Sequence, residues 1–317
     1  VTVEIAGDEK LAAYLPVAFG DIKTAGYEAI YDLTHYQGKQ LKVTYHRFGT
    51  SGPARFLTQR DIPGREVSDR KPAFHELSVG GRTIFYAETG DPAQPPVAFI
   101  HGTPGSWMAF GGYLGDDNLR RAAHMIAVDR PGFGRSGYKQ VMPSLQEQAA
   151  LLAQVLRDAF KGRGAILVGH SLGAPIAVRL TMDNPDLVDG LVLVSPSIDP
   201  ALEKPRWYNR VANWPLISWA IPTKLALANE ELMPLEGELS KMLPLWQRVQ
   251  VPVIVIQGQK DRLVSPASAD FAERELGHRA KIIRVPDAGH FILWQQPSII
   301  SDAVLSLLGQ DRSRTIS

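Results

Sequence analysis

The sequence Gly169-His170-Ser171-Leu172-Gly173 is the strongest indication of the fold. It follows a short apolar run at 165–168 and precedes a helix-like run at 174–182, which predicts a strand, a sharp turn and a helix. A serine in so tight a turn has strained backbone geometry, and the flanking glycines let neighbouring backbones approach without Cβ clashes. We expect the hydroxyl of Ser171 to stand above the sheet, where the helix aims N–H groups at incoming negative charge.

The alternation of strands and helices continues on both sides of this turn. Strands are predicted at 97–100, 124–128, 165–168, 191–194, 253–256 and 282–285, and helices at 145–160, 172–182, 267–276 and 298–308. Unbroken apolar strands that alternate with helices indicate a mostly parallel sheet covered on both faces. A glycine-turn hairpin at 75–87 adds an antiparallel edge. The predicted fold class is α/β, with a mostly parallel β-sheet flanked by helices.

The pattern divides the chain into an extension, a core, an inserted cap and a tail. The predicted ranges are 1–72 for an N-terminal accessory extension, 73–196 and 248–309 for the core, 197–247 for a helical cap and 310–317 for a C-terminal tail. Within the extension, 1–5 and 41–45 alternate as strands do, and 49–72 is rich in Gly, Pro and charge, as is typical of a linker or surface arm.

The insertion at 197–247 carries four of the six tryptophans of the chain. A connection this long between two sheet strands is uncommon without a role. We expect it to cover the carboxyl ends of the strands, where such sheets place their sites. The candidate substrate-binding residues are Trp207, Trp214, Trp219 and Met233. The alternative is that the tryptophans fill the core of the cap itself.

Composition excludes several classes of function. With 34 Lys and Arg against 33 Asp and Glu, nothing favours nucleic acid or an acidic membrane as partner. The absence of cysteine excludes disulfides, thiolate metal sites and cysteine catalysis. No apolar run reaches the ~20 residues of a membrane span, and no metal or organic cofactor is implied. The compartment stays open between a soluble cytoplasmic protein and one exported with a removed leader, and so does the oligomeric state.

A serine nucleophile needs a base, and that base needs an orienting carboxylate. His290 follows the last predicted strand and lies at the same sheet edge as Ser171, so it is the candidate base. Asp261 follows the strand at 253–256 and is the candidate carboxylate, with Asp199 as its rival. Asp287 is predicted to shape the loop that carries His290.

The oxyanion of an acyl-transfer intermediate needs N–H donors. One is expected from Leu172, directly after the serine, and a second from Thr103 in the loop after the strand at 97–100. In that loop His101 fits an orienting hydrogen-bond role. His170 is interpreted as structural, with its side chain pointing away from that of Ser171.

Four motifs together resemble the α/β-hydrolase fold superfamily over about residues 74–309. They are His101-Gly102-Thr103-Pro104-Gly105, the loop at 129–136 with the pattern D-x-x-G-x-G-x-S, the serine turn, and Gly289-His290. The loop at 129–136 is interpreted as a structural border of the site. Epoxide hydrolases and haloalkane dehalogenases share the H-G-x-P loop but have an aspartate nucleophile, whereas this chain has Ser171.

The resemblance implies a serine hydrolase that takes a small-molecule ester. The tryptophans, methionines and leucines of the segment at 197–247 indicate a pocket for small to medium, mainly apolar acyl or aromatic groups. Three alternatives stay open. They are a C–C bond hydrolase or lactonase with the same three residues, an acyltransferase or perhydrolase, and a ligand-sensing binding protein on the same fold.

Overall fold

The computed structural model describes strands within residues 2–57, the segment 72–204 and the segment 223–315, with side chains described in 72–204 and 226–309. The chain divides into two compact units, Val1–Lys71 and Pro72–Ser317. The described strands of the first unit are β1 (Thr2–Ile5), β2 (Asp8–Tyr14), β3 (Leu41–Thr44), β4 (His46–Arg47), β5 (Thr50–Ser51) and β6 (Arg55–Leu57).

Four of these strands form an antiparallel sheet in the order β2-β1-β3-β6, and β4 pairs with β5. The strands predicted at 1–5 and 41–45 are present. The linker predicted at 49–72 is wrong in part, because β5 and β6 lie within it. Strand β6 is specified by its ladder with β3, in which Leu57 pairs with Leu41, and composition does not reveal such remote pairing.

An eight-stranded sheet runs through the second unit. Its strands are β7 (Ala73–Val79), β8 (Arg82–Thr89), β9 (Pro96–Ile100), β10 (His124–Val128), β11 (Ala165–His170), β12 (Val188–Val194), β13 (Val253–Gly258) and β14 (Ala280–Val285). The order is β14-β13-β12-β11-β9-β10-β8-β7. Strand β8 pairs antiparallel with β10 and β7, and the other pairs are parallel. The predicted α/β class and its antiparallel edge are confirmed.

The described helices agree with the predicted ones where those are long. They are α1 (Gly111–Leu114), α2 (Asp117–Ala122), α3 (Leu145–Phe160), α4 (Gly173–Asp183), α5 (Thr223–Leu232), α6 (Leu235–Met242), α7 (Ser268–Leu276), α8 (Ile292–Gln295) and α9 (Pro297–Thr315). Helices α1, α2 and α8 were not predicted, because so few residues show no period. Helix α9 continues into the predicted tail. None of these described helices is long and apolar enough to cross a bilayer.

Both faces of the sheet are buried, as its apolar strands require. Alternate residues of β9 point to opposite faces: Ala98 and Ile100 pack in a cluster with residues of α3 and α4, and Val97 and Phe99 pack with residues of α1 and α9. The sheet therefore lies between two layers of helices.

From residue 223 onward, the described part of the segment predicted to be a cap is helical, whereas residues 197–204 form no helix. It contains α5, α6 and a 3-10 helix at Leu243–Arg248. Trp246 is buried in the main core, where its ring lies 5.2 Å from that of Phe271. The division into core and cap stays a prediction.

The order of the strands in the sheet indicates where a ligand-binding site can form. The chain leaves β9 for β10 on one side, and later returns to β11 on the other side of β9. Ligands of open α/β sheets bind at such a switch point, outside the carboxyl ends of the strands. The loops that begin at His101, Asp129 and Ser171 all start there.

Candidate active site

Ser171 lies in a strained turn between β11 and α4. Its φ angle is +54°, in the left-handed region that residues with side chains rarely adopt. Its N–H donates to the carbonyl of Val194 at 3.0 Å, and its carbonyl accepts from the N–H of Ala174 at 3.1 Å. The sheet edge and the first turn of α4 therefore hold the serine backbone in this conformation.

Two glycines let the serine turn touch the loop after β9. A Cβ on Gly173 would lie 2.2 Å from the carbonyl oxygen of Ile100, and one on Gly102 would lie 2.8 Å from the Cβ of Ser171. Cβ atoms do not approach backbone so closely without displacing it. These glycines therefore bring residues 101–105 directly against Ser171.

His290 and Asp261 form a buried hydrogen-bonded pair. Nδ1 of His290 lies 2.8 Å from Oδ2 of Asp261. A carboxylate only accepts, so Nδ1 carries the proton and Nε2 is left able to accept one. The other oxygen, Oδ1, accepts from the N–H groups of Leu263 at 2.8 Å and Val264 at 2.9 Å.

The environment of Asp261 favours its charged form. Burial raises the pKa of this carboxyl, but the hydrogen bond and charge of His290 and the two backbone N–H donors outweigh burial and hold the pKa below its usual value. An ionised Asp261 can stabilise a positive charge on His290.

The other two predicted carboxylates lie elsewhere. Asp199 accepts a hydrogen bond from the N–H of Ala201 at 2.9 Å, and Asp287 accepts from Nζ of Lys260 at 2.7 Å. In the described segments neither is hydrogen-bonded to His290. Asp287 ties its loop to the loop of Asp261, in agreement with the loop-shaping role predicted for it.

The two candidate oxyanion donors are Thr103 and Leu172. Among the described residues, neither the N–H of Thr103 nor that of Leu172 donates to a protein acceptor. Both flank the contact between Gly102 and Ser171. Within the same segments, no hydrogen bond joins the Ser171 hydroxyl to His290.

His170 contacts the loop that carries His290. Its ring is buried with its centroid 5.0 Å from that of His290, and Nε2 donates to the carbonyl oxygen of His290 at 3.1 Å. Burial first, and then the neighbouring His290, lower the pKa of His170 to about 3. His170 is therefore neutral, and its hydrogen bond helps to hold the backbone of His290 in place. The spacing of the serine motif does not predict this contact.

His101 has the orienting role expected of it. Nε2 accepts the N–H of Arg130 at 3.0 Å, so Nδ1 carries the proton and donates to the carbonyl of Gly102 at 2.7 Å. Burial first, and then the charge of Arg130, hold the pKa of His101 well below its usual value. A neutral ring that both donates and accepts joins the loop after β9 to the loop after β10.

The loop at 129–136 contributes a residue that the sequence did not single out. The guanidinium of Arg130 is fully buried and forms a bidentate ion pair with Glu231 of α5, at 2.6 and 2.9 Å. It also donates to the carbonyls of His101 and Gly102. No spacing connects residues 130 and 231, so only the folded chain reveals the pair.

Asp129 organises the same loop from the other side. It accepts from the N–H groups of Trp107 at 2.7 Å and Arg135 at 2.8 Å. Burial raises the pKa of Asp129 to about 6, and those two N–H donors offset part of that effect. This agrees with the interpretation of residues 129–136 as a structural border of the site.

The predicted substrate contacts are described only at Met233. Met233 is half-buried beside α6, where it lines a shallow depression with Pro234 and Lys241. The other three candidates, Trp207, Trp214 and Trp219, lie outside the described residues. Among the residues whose side chains are described, no group of three or more acidic or His side chains is placed to hold a metal ion.

A model of the alpha/beta hydrolase family matches residues 97–303. The chain is 34% identical over 148 residues to the dihydrolipoyllysine-residue acetyltransferase component of an acetoin cleaving system from Cupriavidus necator. That match covers 45% of this chain and spans 37% of the length of the relative.

A second relative matches over nearly its whole length. The chain is 26% identical to a 2-(acetamidomethylene)succinate hydrolase from Mesorhizobium japonicum, covering 73% of this chain and 94% of that protein. Among solved structures, haloalkane dehalogenase DbeA from Bradyrhizobium elkani has a TM-score of 0.62 at 22% identity, over 77% of this chain and 99% of that one. At this identity the structural likeness shows the fold alone.

Proposed function

The chain belongs to the alpha/beta hydrolase family, and on that premise we propose that it is a serine hydrolase of carboxylic esters. The observation that carries the proposal is the 2.8 Å hydrogen bond from His290 to Asp261, at the sheet edge where Ser171 has a φ of +54°. A base with a fixed tautomer beside a strained serine suits nucleophilic catalysis.

In the proposed reaction the oxygen of Ser171 attacks the acyl carbon of the ester. His290 takes the hydroxyl proton at Nε2, and Asp261 stabilises the resulting imidazolium. The carbonyl oxygen becomes an oxyanion, which the N–H groups of Thr103 and Leu172 stabilise. His290 then gives its proton to the leaving alcohol. A water activated by His290 next cleaves the acyl-enzyme and releases the acid.

The nucleophile separates this proposal from the chemistry of some relatives. Aspartate takes that place in dehalogenases and epoxide hydrolases, whereas position 171 is serine here. For the substrate we propose esters with small to medium, mainly apolar acyl or aromatic groups, bound by Trp207, Trp214, Trp219 and Met233. The alternatives are a C–C bond hydrolase or lactonase with the same three residues, an acyltransferase or perhydrolase, and a ligand-sensing binding protein. The similarity to an acetyltransferase component supports the second of them.

Labelling with a fluorophosphonate probe, followed by hydrolysis of p-nitrophenyl butyrate, tests the proposal. Wild type should be labelled and Ser171→Ala should not. The same variant should lose at least ~10⁴-fold in kcat, since the remaining groups of such sites supply only a small part of the rate. Butyrate hydrolysis at the wild-type rate in Ser171→Ala would refute the assignment.

A matched pair of carboxylate variants tests the third residue. Asp261→Asn should lower kcat by about 10⁴-fold, because an amide can hold His290 in the wrong tautomer. Asp199→Asn, the control, should leave kcat unchanged because Asp199 bonds to the N–H of Ala201. The reverse outcome would assign the role to Asp199. A series of p-nitrophenyl esters of increasing chain length then defines the acyl preference.

A further inference from the structure

Arg130 uses all of its hydrogen-bonding capacity within the protein. A guanidinium has five N–H donors, and five bonds are present. Nε donates to the carbonyl of His101 at 2.8 Å, Nη1 to Gln148 at 2.8 Å and Glu231 at 2.6 Å, and Nη2 to Gly102 at 3.0 Å and Glu231 at 2.9 Å. The group is therefore held in a single orientation.

The carbonyl of Gly102 is the informative acceptor, because it shares a peptide unit with the N–H of Thr103. The carbonyl and N–H of a planar trans peptide point in opposite directions, so fixing one fixes the other. Arg130 donates to this carbonyl at 3.0 Å and His101 at 2.7 Å. A cationic donor on the carbonyl also polarises the N–H and strengthens it as a donor.

Stability alone is a weak explanation for this arrangement. Arg130 is 0% exposed and Glu231 is 1% exposed, and buried ion pairs often contribute no more stability than apolar side chains of similar size. Gln148 bonds to both members of the pair, at 2.8 Å and 3.0 Å. The buried charges of this cluster therefore fix the position of the Gly102 carbonyl, in the loop that contacts Ser171.

We propose that Arg130, held by Glu231 of α5, is a positioning residue that orients and polarises the Gly102–Thr103 peptide for oxyanion binding. This inference rests on the proposed function, since Thr103 acts on the oxyanion of an acyl substrate. Through Glu231 and Arg130, helix α5 in the segment predicted to be the cap would influence how the N–H of Thr103 stabilises the oxyanion.

Arg130→Lys tests the inference. A lysine ammonium keeps the charge but cannot serve both carbonyls and a bidentate carboxylate. We expect kcat for p-nitrophenyl butyrate to fall by about 10- to 100-fold, less than the ~10²–10³ of a complete donor loss. KM should change little, and the rate of fluorophosphonate labelling should fall by the same factor as kcat.

Arg179→Lys is the matched control. Arg179 is also buried and paired, with Nε 2.6 Å from Oδ2 of Asp183, but its bonds do not reach the 101–105 loop. It should lose stability without losing kcat. Equal losses of kcat in both lysine variants would overturn the inference, as would a change in Arg130→Lys confined to KM.

A double variant separates positioning from folding should Arg130→Lys fail to fold. Arg130→Met with Glu231→Leu removes both charges at similar volume, so no charge is left buried without its partner. The carbonyl of His101 and Oε1 of Gln148 lose a donor, so the variant should fold with a melting temperature somewhat below that of wild type. We expect its kcat to stay at least tenfold below wild type. Wild-type kcat in this variant would overturn the inference. If wild type itself is not labelled by the fluorophosphonate, the proposed function fails instead, so the two failures are distinguishable.

Discussion

Two loops meet at the proposed active site, and different forces hold them. The turn at 169–173 is held by backbone contacts: Ser171 bonds to the sheet edge, and Gly173 lies against the carbonyl of Ile100. The loop at 101–105 is held by side chains, through His101 and the buried guanidinium of Arg130.

The residues that fix the conformation of each loop therefore lie in different parts of the sequence. The turn depends on glycines within a few residues of Ser171, so its conformation can be predicted from the local sequence. The loop depends on partners at 130, 148 and 231, which come together only in the folded chain. Substitutions in the turn should therefore destabilise the protein through steric clash, and substitutions at the loop through lost hydrogen bonds.

The largest effect is expected from Gly173→Ala. Its Cβ would lie 2.2 Å from the oxygen of Ile100 and 2.7 Å from that of His101, and both are backbone atoms that cannot rotate away. We expect the free energy of unfolding to fall by about 3 kcal/mol, with loss of the proposed hydrolysis of p-nitrophenyl butyrate. Urea unfolding followed by circular dichroism measures the change.

Gly237→Ala is the control for that substitution. It lies in α6 with nothing within 4 Å of the added Cβ, so it should stabilise the protein by up to ~1 kcal/mol through helix propensity. If both alanine variants unfolded at the same urea concentration, steric contact at Gly173 would not be what holds the turn.

A smaller effect is expected at the loop, from His101→Ala. This variant leaves the buried N–H of Arg130 without an acceptor and removes one donor to Gly102. The cost should be about 1–3 kcal/mol, with a fall in kcat of about tenfold. The control is His124→Ala, which removes a buried histidine whose Nε2 lies 2.5 Å from Glu88. It should lose stability and keep its kcat; a similar kcat loss at His124 would contradict a role specific to the loop.

The effect that is smallest at neutral pH, and that grows only as the pH falls, concerns His170. Its pKa is about 3 when folded, against an ordinary value of 6.5, so unfolding takes up a proton between these values. The stability that neutral His170 provides is complete above pH 6.5 and is lost as pH falls towards 3. The loss approaches about 1.4 kcal/mol per pH unit.

His170→Gln should remove this contribution. Urea unfolding of wild type and variant at pH 7, 6, 5 and 4.5 measures the difference in slope. Parallel stability curves for the two proteins would show that His170 is not held neutral by burial.

Much of the fold could be predicted because its signals are local. Apolar runs such as β9 and β11 are buried on both faces, and that makes them recognisable. Helices α1 and α2 could not be predicted, since they are too short to show a period. Strand β6 could not be predicted because its pairing with β3 is remote in sequence.

The candidate site divides in the same way. Ser171, Asp261 and His290 each follow a strand closely, so the sequence by itself placed all three at one edge of a parallel sheet. It favoured Asp261 and kept Asp199 as a rival, because both follow strands and only distance to His290 distinguishes them. The folded chain decided for the hydrogen bond to Asp261.

The sequence determined the serine turn and the succession of strands and helices along the chain, because glycine spacing and apolar periodicity act over a few residues. The tertiary structure alone decided what holds the site together: His170 beneath His290, and Arg130 between the Gly102 carbonyl and Glu231. The physical reason is that a buried charge or ring nitrogen requires a partner, and the partner is whichever group the fold brings within hydrogen-bond distance.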